Sequence, residues 1–290
     1  MTEESDADPT ESVESAARDE PAENISGGDA EASVTAEFAP GEAATRAEEV
    51  VDRLGDLYWQ KTYGGQDAFE CLVRTILSQN TSDVASQPAH DALMETYGSA
   101  DSVGTDDETD LAAALAAAQH DELADTIRPA GLYNRKAEVL TAVADRVLDE
   151  YGSAADFDAF VREEDSAEVR AALLDMGGVG PKTADCVLLF AGGQGGVFPV
   201  DTHVHRIYRR LGIAPADADH EEVRAVLERE VPAEKCGFGH TASIQFGREY
   251  CSARKPACVD GLDECPLSAI CDRVGVNVES GEVVDPADAD

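Results

Sequence analysis

Between residues 46 and 274 the apolar side chains return every three or four positions, and no stretch alternates apolar and polar with period two. Phe69, Leu72, Val73, Ile76 and Leu77 form one such stripe behind Asp67, a residue suited to cap a helix start; Val139, Leu140, Val143, Val147 and Leu148 form another. The pattern predicts an all-α protein. Groups of glycine with Asp or Ser, at Gly64-Gly65, Gly98, Gly131, Gly152, Gly177 to Gly180 and Gly192 to Gly196, divide it into about nine or ten helices. No repeat of fixed period is present.

Residues 1–45 break the pattern. They hold 13 acidic residues and one basic residue, Arg18, with no sustained apolar period, and so predict a disordered acidic tail. A second acidic tail is expected over 275–290. The 290 residues carry a formal charge of −38, and 46–290 alone still carry 47 acids against 21 bases. Only five of the 22 basic residues are lysines. Such a surface repels itself in ordinary cytosol, whereas molar salt shortens the Debye length to about 3 Å and removes most of that cost. The composition therefore predicts a halophilic cytosol. The acidic N-terminus lacks a signal-peptide pattern and no run of 18 apolar residues occurs, so a soluble, cytoplasmic protein without membrane contact is expected.

The most informative stretch is Leu173 to Ala184, Leu-Leu-Asp-Met-Gly-Gly-Val-Gly-Pro-Lys-Thr-Ala. Two helical segments meet at a turn whose glycines permit positive φ and close backbone approach, and Pro181 suits the first position of the second helix. This predicts a helix-hairpin-helix. Its outward N–H groups, those of Gly178 and Gly180 among them, would bind DNA phosphate without reading sequence. Lys182 stands in the first turn of the second helix, in a chain that has nearly eliminated lysine. Two roles stand side by side: a phosphate contact, or a partly desolvated amine whose charged form is disfavoured and which attacks a carbonyl-like carbon.

Nineteen residues on, Asp201 opens Asp-Thr-His-Val-His-Arg-Ile-Tyr-Arg-Arg, with Val204, Ile207, Tyr208 and Leu211 on one helix face. Capping alone explains an aspartate there. Its second possible role is a carboxylate facing Lys182, stabilising positive charge developing on a sugar. Arg206, Arg209 and Arg210 form the densest basic group and are expected at a phosphate-facing rim.

Of the seven cysteines, Cys71, Cys186 and Cys236 read as inert core thiols. Cys251, Cys258, Cys265 and Cys271, spaced x6, x6 and x5, form a cluster that in an intracellular protein points to metal rather than disulfides. The close C-x2-4-C knuckles of zinc sites are absent, which favours an iron-sulfur cluster.

These features together resemble the endonuclease III family of DNA glycosylases, helix-hairpin-helix proteins ending in a 4Fe-4S cluster. The resemblance runs from about Ala44 to Arg273. It rests on Ile76 to Asp83, Gly131 to Ala137, the hairpin with Lys182, the Val-Asp-Thr-His segment at Asp201, and Phe246-Gly247-Arg248 through Cys258, in that order. It implies two all-α domains: a six-helix barrel over 62–195, and a cluster domain built from 46–61 and 196–274, with duplex DNA across the cleft. It further implies that Lys182 attacks C1′ of a damaged nucleotide with help from Asp201. Leu132 and the Gln79-Asn80 pair would fill the stack, with His203 and Arg206 beside the DNA and the four late cysteines on the 4Fe-4S cluster. The expected protein is a halophilic, archaeal, monomeric base excision enzyme. It removes oxidised pyrimidines from duplex DNA and cleaves abasic sites by β-elimination through a Lys182 Schiff base.

Three departures from the family pattern stand out. The middle cysteine spacing is x6 where x2 is usual, Asn80 takes a position often held by glutamine, and Gly177 replaces a proline of the hairpin. Two other readings remain open at this point: a mismatch-specific or monofunctional glycosylase, and a non-catalytic iron-sulfur DNA-binding protein.

Overall fold

The structure, a computed structural model, describes residues 23–24, 37–58, 61–62, 67–81, 83–98 and 110–289. Among them the chain is all-α. The helices are α1 (Arg46–Tyr58), α2 (Ala68–Ser78), α3 (Asp83–Tyr97), α4 (Leu111–Ala116), α5 (His120–Thr126), α6 (Tyr133–Tyr151), α7 (Ala154–Glu163), α8 (Ser166–Leu174), α9 (Pro181–Phe190), α10 (Thr202–Arg210), α11 (His220–Glu230) and α12 (Cys236–Glu249). Extended pairing is confined to a two-residue parallel contact, Glu23–Asn24 with Lys61–Thr62, and an isolated bridge between Val276 and Val283. No helix is long and apolar enough to cross a membrane among the described residues.

The stripe read from the sequence is the buried face of α2: Phe69, Leu72, Val73, Ile76 and Leu77 are fully or almost fully buried, and Asp67 caps the helix by accepting from the amides of Phe69 and Glu70. Burying a side chain of this size stabilises by about 1.5–3 kcal/mol relative to exposure. These residues join Leu140, Val143 and Val147 of α6, Phe157 of α7 and Leu173 of α8 in a first core that runs from Ala68 to Val197. A second core gathers Val50, Val51 and Leu54 of α1 with Phe198, Ile207, Tyr208, Val223, Leu227 and Phe246. The long sequence gap between α1 and its partners is closed by ions as well as by packing. Lys235, just before α12, donates to Glu48 at 2.8 Å and to Asp52 at 2.6 Å.

Helix α9 serves both cores. Ala184, Val187 and Leu188 enter the first and Leu189 the second. Below them Asp185, 1% exposed, accepts from Arg170 of α8 at 2.7 Å and pairs with Arg224 of α11 at 3.1 Å. Arg224 also pairs with Glu228, whose carboxylate takes the Phe198 amide. An ionic seam thus ties α8 and α9 of one core to α11 of the other.

Most of the expected tail over 1–45 lies outside the described residues. Over 37–45 the chain lies against the second core, where Phe38, the one aromatic residue of that stretch, stands 4.3 Å from the Phe238 ring. The acidic stretch over 275–289 folds onto α10: its backbone doubles back through Asn277–Glu282 and Gly275–Val284 hydrogen bonds, Pro286 is buried, and Asp285 pairs with Arg209.

Candidate active site and DNA-facing surface

The hairpin forms as the glycines require. Gly178 has φ +91°, and a Cβ there would stand 2.6 Å from Cγ1 of Val139 on α6, so only glycine fits. Gly180 precedes α9 with an extended backbone and open space around it, and Pro181 takes the first helical position. The first-turn amides of α9 have no partner within the helix and face outward at its positive end.

Lys182 is half-buried in that turn, and Asp201 faces it from the head of α10. Asp201 accepts from the amides of His203 at 2.9 Å and Val204 at 2.8 Å, which fixes its carboxylate at the head of α10. The expectation of a disfavoured ammonium is not met. Burial does pull the Lys182 pKa down, but the charges of Cys186 and Asp201 outweigh it and the net direction is upward. The resting side chain is therefore an ammonium facing a carboxylate. Burial pushes the thiol of Cys186 up as well.

A third residue meets this pair. His240 of α12 is 2% exposed, and its Nδ1 has no hydrogen-bond partner. Burial and the Lys182 charge hold its pKa down at about 4, so it is a neutral imidazole. Nothing in the sequence marked it, because its relation to Lys182 is made by packing across 58 positions.

The two candidate gap-filling elements frame the hairpin. Gln79, which ends α2, donates from its amide to Gly178 O and Thr183 Oγ1, both at 3.1 Å. Asn80 beside it is exposed with φ +52°, and Leu132, at the start of α6, has φ +48° and is 61% exposed. The free protein thus holds Gln79 against the hairpin and presents Asn80 and Leu132 to solvent.

The arginines of α10 are used differently from the expected rim. Arg209 and Arg210 are 4% and 3% exposed. Arg209 donates to Ala216 O, and Arg210 donates at 2.7 Å to both Ser252 O and Ala253 O. Arg210 is thus an internal clamp on the loop after α12, and Arg209 is turned instead to Ala216 and Asp285, because a guanidinium with five donors satisfies clustered acceptors better than any other side chain. Arg206 is half-buried and donates to Cys251 O at 2.8 Å and to His203 Nδ1 at 3.1 Å. Gly247 makes room for that histidine, since a Cβ would stand 2.4 Å from its Nδ1. Exposed cations in this region are Arg254 and Lys255 of the loop itself.

That loop brings the four late cysteines to one cavity, walled by Ile207, Leu211, Phe246 and Leu267. Among the described residues no three His, Cys, Asp or Glu side chains stand close enough to hold a single metal ion. A cubane spreads its thiolates over four irons and so holds them farther apart than one ion does. The donor set suits that group: four sulfurs, apolar walls, and Arg210 with Nη1 3.6 Å from Cys251 Sγ to offset thiolate charge. The lengthened middle spacing leaves the cavity intact, because the added residues form an exposed turn at Leu262–Glu264 outside it. Cys71, Cys186 and Cys236 are buried free thiols that do not line this cavity.

Comparison with known proteins agrees with this geometry. Residues 73–233 match the HhH-GPD superfamily of base excision DNA repair proteins. The chain is 32% identical over 226 residues to endonuclease III of Thermotoga maritima, covering 78% of this chain and 90% of that one. It is 31% identical over 223 residues to endonuclease III of Bacillus subtilis, covering 76% and 89%. A trapped endonuclease III–DNA covalent intermediate superposes with a TM-score of 0.63 at 26% identity, over 79% of this chain and 96% of that chain.

Proposed function

The chain belongs to the HhH-GPD superfamily and within it to the endonuclease III family, and from that premise we propose that it is a bifunctional DNA glycosylase and abasic-site lyase of base excision repair, acting on oxidised pyrimidines in duplex DNA. The observation that carries the reading is the Lys182 amine at the head of α9, beside an open hairpin and facing Asp201. A monofunctional enzyme has no use for a nucleophilic amine there, and a binding protein needs Asp201 only as the cap of α10.

In the proposed reaction the Lys182 ammonium first gives up a proton, for which Asp201 is the facing acceptor. The free amine attacks C1′ as the base leaves with the bonding electrons and takes up a proton. The resulting amine-sugar adduct opens to a Schiff base. Loss of a proton from C2′ then expels the 3′ phosphate, leaving a C2′–C3′ double bond, and water hydrolyses the imine to free Lys182 and the unsaturated aldehyde. Gly178 and Gly180 hold phosphate through backbone amides, Leu132 with Gln79 and Asn80 occupies the vacated stack, and His203 and Arg206 line the DNA side of α10.

Cys251, Cys258, Cys265 and Cys271 would hold a 4Fe-4S cluster, whose chemistry here is structural: it cross-links the loop that carries Arg254 and Lys255. We read the two cores as two domains, 62–195 and 46–61 with 196–274, of an enzyme that works as a monomer. The acidic surface suits the cytoplasm of a halophilic, archaeal cell.

Borohydride trapping on abasic-site duplex tests the assignment. The wild type is expected to cross-link, and Lys182→Gln to fold, bind the duplex and give neither cross-link nor strand cleavage. Equal trapping of both proteins would falsify the nucleophile assignment.

A further inference from the structure

One buried cation joins two of the elements that this function sets against DNA. Lys136, in the first turn of α6, is 4% exposed. Its ammonium donates to Leu77 O at 2.7 Å, to Thr81 Oγ1 at 2.9 Å and to Ala130 O at 2.9 Å. Three oxygens use all three donors of an ammonium, and all three are neutral. Burying such a charge is costly, and burial alone draws its pKa down to about 8. An apolar residue of similar length would fill the space with no such penalty, so the packing by itself does not call for a lysine.

What the amine holds together is specific. Leu77 O belongs to the last turn of α2, where the free carbonyls and the negative end of the helix favour a cation. Thr81 lies in the turn that follows, and its hydroxyl also bonds to Ala130 O. Ala130 closes the short 3-10 turn that leads into Gly131 and Leu132. On either side of this knot stand two of the three non-glycine residues with left-handed backbone among the described residues, Asn80 and Leu132. An L side chain rarely adopts that conformation unless its surroundings enforce it. Gln79 then carries the connection onward to Gly178 and Thr183, so hydrogen bonds run unbroken from the Leu132 loop to the hairpin.

We propose that Lys136 is a positioning residue that locks the Gln79–Asn80 turn and the Leu132 loop into one rigid, two-pronged wedge, so that both prongs enter the duplex together. This rests on the reading of those residues as gap fillers. Without the lock each prong enters alone and extrusion of the target nucleotide is incomplete, while the phosphate contacts of the hairpin persist.

The test uses a duplex carrying a tetrahydrofuran abasic analogue next to 2-aminopurine, whose fluorescence rises when the stack is opened, with thermal melts and single-turnover cleavage of abasic-site duplex in parallel. Wild type is expected to raise the fluorescence. Lys136→Met, with the stem kept and the donors removed, is expected to fold and to bind undamaged duplex as wild type does. It should lose most of the fluorescence rise, and cleavage should fall by about tenfold or more, as when a positioned group is displaced. Thr81→Val, which removes one of the three acceptors, is expected to give a smaller loss in the same direction and carries the test if Lys136→Met fails to fold. A folded Lys136→Met, or in its place Thr81→Val, with the wild-type fluorescence rise would overturn the positioning role. Absence of any rise or cleavage with wild type would instead remove the functional reading and this inference with it.

Discussion

On the proposed reaction Lys182 starts as an ammonium and acts as an amine. Cys186 and then the facing Asp201 carboxylate raise the pKa of the amine against burial, which lowers it. The single-turnover rate on abasic-site duplex is therefore expected to climb with pH through neutrality. Asp201→Asn removes that anion, lowers the amine pKa and moves the climb to lower pH, while the ceiling drops by roughly 10² because a positioned proton acceptor is lost. Asparagine caps about as well as aspartate, so the melting temperature should barely move. An unshifted profile with unchanged turnover would reduce Asp201 to a cap. Both residues were legible in the sequence, Lys182 through the scarcity of lysine and Asp201 through its place before an amphipathic helix. The same scarcity pointed equally to Lys136 and went unused, because nothing in the sequence distinguishes a lysine at a reaction centre from one closing a loop. Arg209 and Arg210 show the opposite failure. Charge density is visible in a sequence, but the direction of a long side chain is set by partners far along the chain, Ser252 and Ala253 carbonyls for Arg210 and Asp285 for Arg209.

At the scale of elements, apolar period and capping were enough to place α2, α6 and α10, since local burial decides them. The loop after α12 was legible only as four cysteines. How they converge depends on Arg206 and Arg210 gripping its carbonyls, a tertiary fact. This loop is expected to yield a brown protein with about four irons and four sulfides per chain, as four thiolates around a cubane imply. Colourless protein with zinc and no iron would exclude that cofactor. Removal of the iron by a chelator should loosen the cavity wall and lower the melting temperature, because Ile207, Leu211, Phe246 and Leu267 lose what they pack around. The seam between the cores makes a separate prediction. Asp185→Ala leaves Arg170 and Arg224 partly buried without their shared carboxylate, and a loss of about 3 kcal/mol is expected in denaturant unfolding, in line with breaking one partner of a buried pair. A loss below about 1 kcal/mol would assign the seam no more than the value of exposed pairs.

The whole molecule carries −38 and must approach a polyanion. Its long-range field opposes the encounter, so attraction at a distance cannot be how it finds DNA. Most DNA-binding proteins lose affinity steadily with salt through counterion release. Here screening of the acidic surface is expected to dominate at first, and initial rates on a lesion duplex should rise from dilute buffer to a maximum well above the roughly 0.15 M of ordinary cytosol. Circular dichroism across the same KCl series separates refolding from binding. A protein folded throughout whose rate only declines with KCl would contradict the halophilic reading. The way α9 is shared has its own outcome at this scale. A helix with one face in each core cannot be released by the opening of either core alone, so the two halves have no independent route to unfolding through it. Its amides, those around Leu188 and Leu189 above all, should exchange with deuterium only as fast as the entire chain opens, which makes the segment behind the nucleophile the last part of the protein to come apart.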